Sequence, residues 1–118
     1  AALAPGVSRN GITLAAARIA QQVDINIIVA TGVYYFLELP SFLAYRSDDV
    51  IAELFVREIR EGIDDTGVKA AFIKCAVEHH GIIADVPRIL AAVAAASLET
   101  GAPIDQYDLG SPSTRSAR

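Results

Sequence analysis

Apolar residues fall at Ile12, Ala15, Ala16, Ile19 and Val23. This spacing predicts an amphipathic helix from Gly11 to Val23, with Arg18, Gln21 and Gln22 on its wet side and Asn10 as its cap. The pattern then changes period. Ile25–Ala30 (INIIVA) is short and β-branched and ends at Thr31-Gly32, which predicts a buried strand. Val33–Tyr45 is aromatic and holds Pro40, so it is expected to be a long loop with one helical turn. Ser47-Asp48-Asp49 opens a second helix, with a serine cap and two carboxylates at its positive end. Ile51, Leu54, Phe55 and Ile59 give it a buried stripe, Glu53, Arg57 and Glu61 lie at i,i+4 spacing on the other side, and Gly62 stops it.

Asp64–Gly67 reads as a turn and Val68–Val77 as a second buried strand. Glu78–Gly81 is a polar loop, after which Asp85 caps a third helix with Pro87 in its first turn and Gly101 at its end. Ala102-Pro103-Ile104 looks like the start of a third strand, and residues 105–118 form a polar, serine-rich tail expected to be disordered. Strands alternating with helices mean a parallel sheet, either doubly wound or part of a (β/α) barrel. A whole barrel takes roughly 250 residues, so 118 residues supply only part of one.

Composition narrows the classes. The chain is 53% apolar, which argues against intrinsic disorder, and its net charge of −4 disfavours a general nucleic-acid binder. The longest apolar run, Ile25–Leu37, falls short of the ~20 residues of a membrane helix and contains Asn26. No signal peptide is visible and the one cysteine cannot form an internal disulfide, so a cytoplasmic location is expected. The sequence contains no methionine, even at position 1, which points to processing or to a longer parent protein.

The most informative residue is Lys74, set in the apolar run Phe72-Ile73-Lys74-Cys75-Ala76. Alternation along a strand puts Val68, Ala70, Phe72, Lys74 and Ala76 on one face, which in a barrel is the inside. A lone ammonium is costly to bury. Three readings stay open. Lys74 forms a Schiff base; or it takes up carbon dioxide to become a carbamate that bridges two divalent metals; or its long stem snorkels to water. Cys75 points the opposite way and reads as a packing thiol. His79 and His80 are adjacent, so their side chains diverge, and ordinary loop histidines are favoured over metal ligands. Asp64 and Asp65 read as turn residues, and Ala30-Thr31-Gly32 is too short to be a phosphate loop.

Five segments, IIVATGVYY (27–35), LP (39–40), ELFVREIREGIDDTG (53–67), KAAFIKCA (69–76) and TGAPI (100–104), together resemble the phosphotriesterase family of the amidohydrolase superfamily. The similarity is nearest to its phosphotriesterase-like lactonase branch and covers about residues 9–104. It implies a partial (β/α)8 TIM barrel, with Ile25–Ala30 as the third strand, Val68–Val77 as the fourth and Ile104 beginning the fifth. Residues 1–104 would then be a partial metal-hydrolase domain and 105–118 a divergent tail. It also implies a two-metal centre, zinc or a similar divalent ion, bridged by a carboxylated Lys74. Tyr34 matches a tyrosine that contacts substrate, and Tyr35 adjoins it. The substrates implied are lactones or organophosphate esters, and the intact family member would be a homodimer.

The departures matter as much. The histidine pair of the family's first strand is absent. The segment after Ile104, expected to carry a histidine, reads Asp105-Gln106-Tyr107-Asp108. The likeness breaks there as a truncation or frameshift would break it. The chain alone is therefore expected to be inactive. The other reading is a non-catalytic remnant that acts only through self- or partner-association.

Overall fold

A computed structural model describes residues 9–33, 39, 41–77 and 81–108. The elements are α1 (Arg9–Gln22), β1 (Ala30–Val33), α2 (Ser41–Ala44), α3 (Asp48–Arg60), β2 (Phe72–Val77), α4 (Val86–Thr100) and β3 (Ile104–Asp108). The strands form one parallel sheet in the order β1-β2-β3. α3 and α4 are the crossovers between successive strands, as the alternating pattern predicts.

Both crossovers pack on the same face of the sheet. Val33, Ile73 and Cys75 share that face and meet Ile51 and Phe55 of α3 and Ile89, Val93 and Ala96 of α4 in one buried cluster. A doubly wound sheet would carry helices on both faces, whereas a barrel has them all outside. Small residues, Ala92 and Ala96, let α4 approach the strands closely.

Local chemistry sets the helix ends. Ser47 is extended at the α3 N-cap without a side-chain capping bond, and Asp48 of the first turn instead accepts a 2.7 Å bond from Arg88 Nε. Glu61 closes α3 through its N–H to Arg57 O, so Gly62 falls at the expected stop. Asp85 sits at the α4 N-cap without a side-chain capping bond. Its carboxylate instead accepts the Leu39 N–H at 3.0 Å, which ties Leu39 to the start of α4. Gly101, left-handed, ends α4.

Several boundaries differ from expectation. The first strand is Ala30–Val33, not Ile25–Ala30, and Ile25, Ile27 and Ile28 are exposed. β-branched residues form a strand only where a partner pairs with them. Here the partner's ladder begins at Phe72, opposite Ala30. β2 in turn starts at Phe72 rather than Val68. Val68 O accepts from Ile63 N and Ala70 N donates to Glu58 O, which holds this stretch against the end of α3. α1 starts at Arg9, ahead of its expected cap Asn10. Ile19 of α1 and Val23 just beyond it, expected on the buried side, are exposed. In α3 Leu54 and Ile59 are half-buried, while Ile51, Phe55 and Glu58 are fully enclosed. β3 continues to Asp108, four residues into the segment assigned to the tail.

Candidate functional site

Lys74 occupies the middle of β2, on the face away from the helices. Ile73, Cys75 and Val77 are buried, and Phe72, Lys74 and Ala76 alternate with them as half-buried residues. Parallel register places Gly32 of β1 on one side of Lys74 and Asp105 of β3 on the other. Register partners project to the same side of a sheet, so Gly32, Lys74 and Asp105 form one transverse row. Gly32 adds no side chain to this row, and a Cβ there would overlap the Lys74 carbonyl oxygen. At φ +125° it also takes a conformation that L side chains rarely adopt.

Cys75 faces the helices and is 1% exposed. Burial pushes its thiol above the ordinary value of 9.0, and the Asp105 carboxylate adds to the effect. The packing role expected of it holds. Asp64 and Asp65 lie in the turn between α3 and β2, as read from the sequence.

Tyr34, Tyr35, His79 and His80 lie outside the described residues. Asp105 is the residue that sequence reading missed. It had been assigned to the tail, and only the extension of β3 sets it beside Lys74. Ile104 reads as the start of a third strand, but the register that sets Asp105 opposite Lys74 is not local to either segment.

Among the described residues no group of three or more His, Cys, Asp or Glu could hold a metal ion. Lys74 and Asp105 together do not make a complete centre. A groove of about 840 Å³ runs along α3 between Leu43, Leu54, Arg57 and Glu99. It lies away from the Lys74 row and contains no strand residue.

A parallel α/β unit with both crossover helices on one face of its sheet has the layering of part of a (β/α) barrel. The comparisons sharpen this. The sequence profile of the Phosphotriesterase family matches residues 3–115, and the chain belongs to that family. It is 40% identical over 98 residues to a "Phosphotriesterase homology protein" of Mycobacterium tuberculosis, covering 77% of this chain and 30% of that one. It is 40% identical over 87 residues to an "Aryldialkylphosphatase" of Saccharolobus solfataricus, covering 74% and 28%. The solved "Structure of the phosphotriesterase from Mycobacterium tuberculosis" superposes with a TM-score of 0.73 at 39% identity, over 79% of this chain and 31% of that chain. The chain thus spans about 30% of the length of the relatives it matches. No described helix is long and apolar enough to cross a membrane.

Proposed function

We propose that this chain supplies the third, fourth and fifth strands of a (β/α)8 hydrolase of the lactonase branch, and that Lys74 is the carboxylated lysine bridging its two metals. The observation that carries this reading is the placement of Lys74: mid-strand, half-buried, and on the face opposite both crossover helices. That face is the interior of a closed barrel. When bound, such a centre supplies an acidified water and a polarised ester bond. Lys74 would contribute a negative ligand from β2. Tyr34, next in sequence after β1, would contact the lactone or organophosphate ester, with Tyr35 beside it. The remaining ligands have no counterpart among the described residues, so the 118 residues by themselves should lack turnover.

A chimera tests the assignment: residues 9–104 replace the matching segment of the Mycobacterium tuberculosis relative. Metal content and ester or lactone hydrolysis should survive in it. Lys74→Ala should then remove at least ~100-fold of the turnover together with bound metal, as loss of a metal ligand does. Turnover indifferent to Lys74→Ala would overturn the role given to that residue.

The second reading, a non-catalytic piece that works by association, draws support from the incomplete ligand set and from the exposed isoleucines before β1. Stoichiometric binding of two zinc ions by the isolated chain, with turnover, would sink it. Homodimerisation of the intact hydrolase belongs with the first reading.

A further inference from the structure

We propose that Asp85 and Arg88, at the start of α4, are positioning residues that fix the connection between β1 and α3 where it borders bound substrate. The proposal rests on the barrel-hydrolase reading above. Parallel strands send the β1–α3 and β2–α4 connections out from the same, C-terminal end of the sheet. That end is where a (β/α) barrel builds its active site. Asp85 and Arg88 stand where the second connection enters its helix, and their side chains reach across to the first.

Asp85 Oδ2 accepts the Leu39 N–H at 3.0 Å. Arg88 donates from Nε to Asp48 Oδ1 at 2.7 Å, from Nη1 to Ala44 O at 3.3 Å and from Nη2 to Arg46 O at 2.8 Å. Arg88 Nη1 also lies 3.7 Å from Asp85 Oδ1, which joins the two holds into one. The pair thus grips the connection at Leu39 and again at Ala44, Arg46 and Asp48. Asp85 stands at the N-cap of α4, yet its side chain makes no capping bond there. The side chains of Arg88 and Asp85 are only 30% and 28% exposed, so water replaces these bonds poorly. Meeting three acceptors in fixed directions takes a planar guanidinium, which a lysine does not supply. Leu39 and Leu43 are anchored in the buried cluster. Loss of the polar contacts therefore loosens the connection without detaching it. Substrate then meets the right arrangement in only a fraction of molecules, and apparent affinity falls by that fraction.

In the chimera with the mycobacterial relative, Arg88→Ala and Asp85→Ala should each raise KM for an aliphatic lactone about 5–10-fold, as a competent fraction of about 0.1–0.2 requires. Turnover at saturation should stay within about 2-fold, since uniform binding alone is lost. Arg88→Lys should not restore KM, whereas Asp85→Asn should, because its amide oxygen still accepts the Leu39 N–H. A merely stabilising role would lower kcat through the active fraction at constant KM, and that result overturns the proposal. Hydrogen exchange on the 118-residue chain needs no activity. The amides of Leu39 and residues 43–48 should exchange at least ~10-fold faster in the alanine variants, with β2 still protected. Unchanged exchange there also overturns the proposal. A wild-type chimera without turnover would overturn the hydrolase reading and the positioning role with it, while exchange would still decide whether the tether exists. Should Arg88→Ala fail to fold, Arg88→Lys carries the same comparison.

Discussion

At Gly32 two constraints coincide. The backbone has a positive φ of 125°, and an added Cβ would overlap the Lys74 carbonyl oxygen. Gly32→Ala should therefore cost about 2–4 kcal/mol, read by urea denaturation, because backbone strain and overpacking act at one site. Cys75 makes a separate prediction. Its thiol is enclosed and its ionisation is disfavoured, first by burial and then by Asp105. Disulfide-exchange reagents should label it slowly in native protein and rapidly in urea. The folded value lies above the unfolded one, so this contribution is whole below pH 9.0 and declines as pH rises past it. A denaturation midpoint that rises between pH 9 and pH 10 would contradict the assignment. Lys74 is the residue where sequence and structure meet most directly. Its face follows from the alternation of apolar neighbours, but its company does not, because Asp105 reaches it only through the pairing of β2 with β3.

Among the elements, α3 and α4 are the best determined. The apolar stripe and first-turn carboxylates of α3, and the Pro87 start and Gly101 end of α4, were readable, and Ile51 and Phe55 are buried as the α3 stripe requires. The structure adds the cross-links between them. Arg88 donates to Asp48 Oδ1, to Ala44 O at 3.3 Å and to Arg46 O at 2.8 Å, satisfying carbonyls where α2 ends. Arg60 meets Glu99 at 3.3 Å, with both side chains more than half exposed. Arg88→Ala should cost about 1–2 kcal/mol, since it abandons the Ala44 carbonyl in part-buried surroundings, and Arg60→Ala no more than about 0.5 kcal/mol. Equal losses in thermal unfolding would show that the distinction by burial is mistaken. β1 and α1 were read less well. The isoleucines at 25, 27 and 28 have strand chemistry without a strand partner among the described residues, and Ile19 of the α1 stripe is exposed. Both misreadings share a cause: a local pattern records what a segment can bury, not what is there to bury it.

At the scale of the molecule, a three-stranded parallel sheet with one covered face resembles a segment of a closed barrel more than a finished domain. Zinc titration of the isolated chain should give no stoichiometric two-metal binding, measured by equilibrium dialysis and elemental analysis, because the described residues provide no cluster of three donors. The sequence by itself determined the parallel α/β class, the two long crossover helices and the family, because periodicity, caps and motif spacing are local and survive in any part of the fold. It also determined which face Lys74 occupies, since alternation is a property of one strand. Only the tertiary structure decided where β1 and β2 begin, how far β3 runs, and that Asp105 and Gly32 flank the lysine. Those are matters of register between strands distant in sequence, and register is fixed by pairing and packing rather than by the residues of either strand alone.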